Sequence, residues 1–372
     1  MRQGTGSDPD GAAVFEEWRS TLFGVAYRML GTASEAEDVV QETYLRWRGT
    51  DRAAVVSPAA WLTKAVTNLC LNQLSSARVR RERYVGQWLP EPVLTRVGTS
   101  PSGPSADPVE VAEQRDAISL ALLVLLERLT PPERAVFVLR EAFGYAHREV
   151  ADVLGVTEPH SRQLYRRAKR TVSEGDDVAE RPDRTEQPGR PGRTGRTERT
   201  ERTEQPERTE RAEQRERPEQ RKRAVQREWP ERPERPLSSV PGGDLLSRFL
   251  AAARDGDLAG LERLLADDVV SYADGGGTVG TARRPIVGRT RVARYLTGGM
   301  QRFATQIELT PAVVNGGPAL LGFAGGQLLG VLAVDVSGGR ISTLHVMANP
   351  DKLIYIQQQL ASLSHPRPLP GQ

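Results

Sequence analysis

A chain of 372 residues exceeds one ordinary domain, so two or three folded units are expected. Its net charge of +3 is a small difference between 51 basic and 48 acidic side chains, so any polyanion-binding surface must be sought in local clusters. One cysteine, Cys70, excludes an intramolecular disulfide and a thiolate metal cluster and fits a reducing cytoplasm.

The opening MRQGTGSDPDGAA carries no secretory apolar run, and residues 1–13 read as disordered. The longest apolar stretch, Ile118 to Leu126, is about half of a bilayer span, so no membrane association is expected. From Phe15 to Leu30, apolar residues at Phe15, Trp18, Leu22, Val25, Ala26 and Met29 recur at helical spacing. A second helix follows Thr32 or Ser34 as cap, with acids in its first turn, as the helix dipole favours. A third begins at Ser57-Pro58 and runs into a basic end, with Arg78, Arg80, Arg81 and Arg83. Residues 14–86 form the first helical unit. The Pro-, Gly- and Ser-rich stretch from Gln87 to Pro108 reads as a loop, within an inter-region linker over 87–112. Helices resume over Pro108 to Arg128 and Thr130 to Val172, giving a second unit over 113–173.

In that unit, Val150, Val153, Leu154 and Val156 form one apolar face and Ala151 permits close helix crossing. Gly155 stands where a turn between two helices needs a left-handed residue, and Thr157 caps the next helix. With Leu164 and Ala168 packed inward, His160, Arg162, Gln163, Arg166, Arg167, Lys169 and Arg170 face outward. Long cations suit phosphates and guanine edges, and Gln suits adenine, so this is a DNA-reading helix-turn-helix. An ordinary solvated basic helix is the alternative. The Arg78 to Arg83 run, with Trp61 and Asn68 on the same helix, suits phosphate tracking with stacking on unpaired bases; alone it equally suits a helix C-terminus.

Residues 174–240 are RTE and RPE repeats with Pro throughout and almost no aliphatic side chains. This polyampholyte reads as a disordered tether, with nucleic-acid binding through its arginines as the alternative. Beyond it, over 241–365, two short helices broken at Gly256-Asp257 precede alternating β-branched segments and a closing helix. This predicts an α+β unit with a curved antiparallel sheet, followed by a 366–372 tail. Its titratable candidates are Tyr272, Asp274, Asp335 and His345; an enzyme would need an acid–base pair within reach in one pocket. The Asp274, Gly275, Gly276, Gly277 run is first of all a turn, and Pro350 and Asp351 can simply start the last helix.

Taken in order, these segments resemble the extracytoplasmic-function (ECF) sigma factors of bacterial RNA polymerase. Glu35 to Thr43 with Tyr44 and Trp47 is similar to the region 2 helix that grips the polymerase β′ clamp. Trp61 to Asn68 and the basic run after it are similar to the segments that melt and read the −10 element. Leu129 to Arg140 plus the helix-turn-helix resembles region 4, which reads the −35 element. Trp88, Leu89, Pro90, Glu91 and Pro92, the Asp274 to Gly277 run, and Asn349, Pro350, Asp351, Lys352 and Leu353 resemble the SigJ-type subgroup with a SnoaL-like C-terminal extension. Thr278 and Asn72 depart from that pattern, where Lys and Asp are usual, and the long tether is not part of it.

The resemblance implies all-α sigma regions 2 and 4, then a nuclear-transport-factor-2-like (NTF2-like) cone that controls the sigma core in cis. It implies polymerase binding (β′ clamp and β flap) through Asp38, Gln41, Glu42, Tyr44 and Trp47. Promoter contact falls to Trp61, Lys64, Asn68, Arg78, Arg80, Arg81 and Arg83 at −10, and to the seven helix-turn-helix residues at −35. The expected contact of the cone with the sigma core lies near Trp88 to Pro92. No catalytic residue, metal, cofactor or dedicated anti-sigma factor is expected. The alternatives are a stand-alone helix-turn-helix regulator whose cone senses a ligand or acts on a small molecule, and a small-molecule enzyme with a DNA-binding appendage.

Overall fold

Helix α1 (Pro9–Leu30) buries Phe15, Leu22, Val25, Ala26, Met29 and Leu30 along one face. The computed structural model describes residues 9–82, 84–96, 119–178, 242–303 and 307–364, with the side chains of 9–10, 76–82, 96, 174–178 and 300–303 left aside. Residues 9–13, expected to be disordered, are helical, and the Gly11 carbonyl accepts the Trp47 indole N–H at 2.7 Å. Helices α2 (Ala33–Arg48) and α3 (Pro58–Glu82) pack on α1 and on each other, with Val39, Val40, Leu62 and Val66 inside. The Ser57 hydroxyl accepts the Ala60 N–H at 3.3 Å at the start of α3.

The segment expected as a loop after α3 contains strand β1 (Leu94–Arg96). Residues 97–118, including the first part of the helix expected from Pro108, lie outside the described residues. Helix α4 (Leu120–Leu126) is capped by the Ser119 hydroxyl, and α5 (Pro131–Glu141) opens with the Glu133 carboxylate accepting both the N–H and the hydroxyl of Thr130. Helices α6 (His147–Leu154) and α7 (Glu158–Val178) follow. Both α5 and α6 pack on α3, and α5 also on α1. Arg134 donates to the Met29 carbonyl at 2.8 Å and pairs with Glu127 at 2.8 Å. Burial lowers the pKa of this guanidinium to about 10, which leaves it charged at neutral pH. Helix α7 continues five residues past 173, where the tether was expected to begin; the rest of that tether, 179–240, lies outside the described residues, as does residue 241.

In the C-terminal unit α8 (Gly243–Asp255) and α9 (Leu258–Leu264) part where expected. Gly256 is left-handed (φ +69°) and the Asp257 side chain accepts the Gly260 N–H at 2.8 Å. Among the described residues seven strands form one sheet in the order β1-β4-β5-β6-β7-β2-β3. They are β2 (Leu265–Asp274), β3 (Ile286–Val287), β4 (Glu308–Val314), β5 (Gly317–Ala324), β6 (Gln327–Ser337) and β7 (Arg340–Met347), with β1 added from the linker. The expectation of an antiparallel sheet needs correction at one pair: β2 pairs with β7 in parallel, because the long excursion through β3 to β6 returns the chain alongside β2. Register shifts at Gly322/Phe323 and Asp335/Val336 accompany the bend of the sheet.

Helix α10 (Arg289–Phe303) was not among the expected elements, since Gly298-Gly299 masks the spacing of its buried Val292, Ala293 and Leu296. Helices α8, α9 and α10 fill one face of the sheet, packing Leu246, Phe249 and Leu261 against Leu320, Val334, Ile341 and Leu344. Helix α11 (Pro350–Ser364) packs on β6 and β1. The result is an α+β cone.

Candidate functional site

The turn between α6 and α7 is built on Gly155, left-handed at φ +67°, and the Val156 N–H closes back on the Ala151 carbonyl at 3.0 Å. Val150, Ala151, Val153, Ser161, Leu164 and Ala168 are buried, which fixes the rotation of α7. His160, Arg162, Gln163, Arg166, Arg167, Lys169 and Arg170 are consequently all exposed. Arg162 is tied to Glu158 at 2.6 Å one turn earlier.

On α3, Lys64 is exposed and Trp61 and Asn68 are half-buried. Trp61 is tilted against Trp47, with ring centroids 5.3 Å apart. Arg78, Arg80 and Arg81 lie on the last turns of α3, and Arg83 lies outside the described residues. The Thr63 hydroxyl meets the Tyr145 hydroxyl at 2.8 Å, so the helix-turn-helix unit touches α3 directly.

The three remaining sequence motifs converge. Asp274, at the end of β2, is fully buried, and its carboxylate collects four donors. The Tyr84 hydroxyl (2.5 Å) and the Gly276 N–H (3.0 Å) reach Oδ1, while the Leu89 N–H (2.9 Å) and Lys352 Nζ (2.7 Å) reach Oδ2. Lys352 also donates to the Leu89 carbonyl, and its ammonium lies 4.1 Å from the Trp88 ring centroid and 4.9 Å from that of Tyr84. Asn349 Nδ2 donates to the Tyr84 hydroxyl at 2.7 Å, and its Oδ1 accepts the Asp351 N–H at 3.1 Å as the start of α11. Burial, then Asp274, push the Tyr84 phenol upward, so it stays a donor. Gly276 (φ +63°) lies so close to Asn349 that a Cβ there would stand 2.5 Å from the amide carbon.

A second strand of contacts runs through the linker. Glu91 is 4% exposed; its carboxylate accepts from Ser34, its N–H donates to the Gly31 carbonyl, and its carbonyl accepts the Tyr27 hydroxyl at 2.6 Å. Asn315 Nδ2 donates to that hydroxyl at 2.7 Å, and Asn315 exchanges two further hydrogen bonds with Val93. Gln359 brackets Leu94 on both its N–H and its carbonyl. Tyr27, Tyr84, Asn315 and Gln359 were not singled out in the sequence. The Asn315-Gly316 pair between β-branched runs is a hairpin-turn signal that marks the turn but not the partner of its side chain.

Of the acid–base candidates, Asp335 and His345 meet at 2.9 Å, with His345 stacked on Tyr272 at 5.7 Å. His345 is buried, 2% exposed, while its partner Asp335 is partly exposed. Asp274 is committed to the contacts above. A cavity of about 370 Å³ lies in the helical half, between Arg28, Leu122, Phe137 and Glu141. Among the described residues no group of three or more His, Cys, Asp or Glu is arranged to hold a metal, and no helix is long and apolar enough to cross a membrane.

The Sigma-70 region 2 model matches residues 14–80, and the Sigma-70 region 4 model matches residues 119–172. The chain is 33% identical over 348 residues to the ECF RNA polymerase sigma factor SigJ of Mycobacterium tuberculosis, covering 91% of each chain. It belongs to the extracytoplasmic-function sigma factors. The crystal structure of M. tuberculosis SigJ superposes with a TM-score of 0.60 at 31% identity, covering 92% of this chain and 98% of that one. The ECF sigma factor SigG of the same organism is 34% identical over 179 residues, 43% of this chain and 47% of its own. The chain is thus of SigJ type: helical sigma regions 2 and 4, then a SnoaL-like, NTF2-like cone.

As a sigma factor it acts in transcription initiation with RNA polymerase and promoter DNA. One residue expected at the polymerase needs correction. Trp47 is 2% exposed, with its indole N–H spent on Gly11, so it is a core residue of region 2. Tyr44 is half-buried against Phe15, with ring centroids 4.8 Å apart, while Asp38, Gln41 and Glu42 are exposed. Leu45, not singled out in the sequence, is 59% exposed beside them; it stands off the inward stripe of Val39, Val40, Thr43 and Trp47.

Proposed function

We propose that this sigma factor is controlled in cis by its SnoaL-like domain, which holds the inter-region linker against region 2. The observation that carries this reading is the buried Asp274–Lys352 pair closed around Tyr84, Trp88 and Leu89. The linker joins region 2 to region 4, so a grip on it limits how far the two regions part. The same linker supplies the Glu91 carboxylate that caps α2, the polymerase-facing helix. Cone docking thereby bears on both promoter reach and polymerase binding.

In this reading Asp38, Gln41, Glu42 and Tyr44 face the β′ clamp. Trp61, Lys64, Asn68 and the Arg78 to Arg83 run engage the −10 element. The α7 cations, Arg166 and Arg167 foremost, engage −35 phosphates and base edges through charge-assisted hydrogen bonds. Promoter melting draws on binding energy, so no catalytic residue is required. A contact in cis does not exclude a partner in trans, so the expectation of no anti-sigma factor is dropped.

The test is promoter-directed transcription with core polymerase, comparing the full chain with Asp274→Ala, Lys352→Ala and the double variant. An allosteric coupling of ordinary size corresponds to about a five-fold or larger change in transcript yield. Equal yields from all four chains, at equal folded fraction, would overturn control in cis while leaving sigma activity intact.

A further inference from the structure

Between Asp274 and Glu308 the chain carries six arginines and no carboxylate. The segment belongs to the cone, and beyond its opening glycines none of the functions above uses it. Arg283 and Arg284 are exposed ahead of β3, and Arg291 and Arg294 are exposed on α10, three positions apart. The inward positions Val292, Ala293 and Leu296 are buried, which turns Arg291 and Arg294 outward. Arg289 is the exception, paired with Asp267. Arg283, Arg284, Arg291 and Arg294 have no carboxylate partner among the described residues, unlike Arg162 of α7, which is tied to Glu158; the side chain of the sixth, Arg302, lies outside the described residues.

We propose that Arg283, Arg284, Arg291 and Arg294 form a second duplex-binding surface, which holds the DNA phosphate backbone without reading sequence. Protein surfaces ordinarily intersperse both signs of charge, and a single-sign stretch favours a polyanion. All six cations are arginine, whose planar fork matches phosphate oxygens in bidentate fashion. The N–H groups of the first turn of α10 carry the positive end of its dipole beside Arg291. Duplex DNA is favoured over an acidic protein because the same chain already engages it: once region 4 is bound, the tethered cone meets neighbouring phosphates at high effective concentration.

The experiment measures binding of the full chain to a labelled duplex of unrelated sequence over a salt series. It compares wild type with the quadruple Arg→Gln variant at 283, 284, 291 and 294, and with the quadruple Arg→Lys variant. Each phosphate contact contributes roughly 0.9 to the log–log salt slope, so the Gln variant should be shallower by up to about 3.6 units and at least ten-fold weaker at low salt. The Lys variant should retain most of the slope, which separates loss of charge from misfolding. An unchanged slope in the Gln variant, or no salt-dependent binding by wild type, overturns the proposal. So does loss of binding to polyglutamate with duplex binding unchanged, which would assign the surface to an acidic protein. Arg166→Gln/Arg167→Gln in α7 tests the promoter reading separately, so failure of either surface is distinguishable from failure of the other.

Discussion

The carboxylate of Glu91 accepts the backbone N–H of Ser34 at 3.0 Å and the Ser34 hydroxyl at 2.9 Å. Thr32 occupies the N-cap position of α2 but makes no side-chain cap bond, so a linker residue caps this helix from 57 positions away. Glu91→Ala leaves the Ser34 N–H without its side-chain acceptor and should cost about 1–2 kcal/mol in urea unfolding, the range for a lost cap. Amide exchange should quicken first in the opening turn of α2. Uniform exchange across region 2 would argue against a local capping role.

The same carboxyl carries a pH signature. Burial raises its pKa, opposed in part by the donors of Ser34 and the charge of Lys352. An acid whose folded pKa lies above its unfolded value binds more protons when folded. Its stabilising contribution is present at low pH and is lost as pH rises through the carboxylate range toward neutrality. Glu91→Gln removes that titration. The stability of wild type relative to Glu91→Gln should therefore fall as pH is raised from about 4 to 7, measured as a difference so that other carboxylates cancel. A difference that is flat or rises with pH contradicts the burial argument.

Asp274 and Lys352 are 1% and 7% exposed, so removing either strands the other charge. Breaking a buried pair from one side typically costs about 3–5 kcal/mol, more than the pair contributes when both partners are replaced. Lys352→Ala and Asp274→Ala should each be strongly destabilising, and the double variant should cost less than their sum. Additive losses in the double-mutant cycle would mean that the two side chains act independently.

Much of the helical half was legible because its signals are local. Gly155, the apolar stripe of α1 and the outward cations of α7 follow from spacing of one to four residues. The cone was legible as alternating segments. Helix α10 was hidden by its paired glycines, and the β2–β7 pairing by the distance between the two strands in the chain. Trp47 was misassigned because an aromatic on a helix reads alike whether it faces a partner or the core; only the meeting with Trp61 and Gly11 decides. The three docking motifs were visible as motifs. Tyr27, Tyr84 and Asn315, which complete their hydrogen bonds, stand between 64 and 288 positions from their partners, beyond any periodicity argument.

Gly155 offers a substitution with a small, calculable effect. It is left-handed, and nothing lies within 4 Å of a Cβ placed on it. Gly155→Ala should therefore cost about 1 kcal/mol from backbone strain alone, and Gly155→Asn less, since Asn tolerates that region. Calorimetry on the full chain measures both. A loss of about 3 kcal/mol or more for Ala would point to a steric contact that the turn does not contain.

Trp47 and Leu45 lie on the same helix and should separate stability from partner binding. Trp47→Ala removes a buried indole packed on Trp61 and bonded to Gly11, and the loss should be about 3–5 kcal/mol. Its effect on core-polymerase affinity should vanish once data are scaled to the folded fraction. Leu45→Ala should leave the unfolding midpoint in place and weaken polymerase binding several-fold, because an exposed apolar side chain among Asp38, Gln41 and Glu42 suits an interface anchor. Titration of labelled core polymerase alongside urea unfolding gives both readouts. If Trp47→Ala weakened binding while the fold stayed intact, Trp47 would return to the polymerase-facing surface, and α2 would have to rotate to present it.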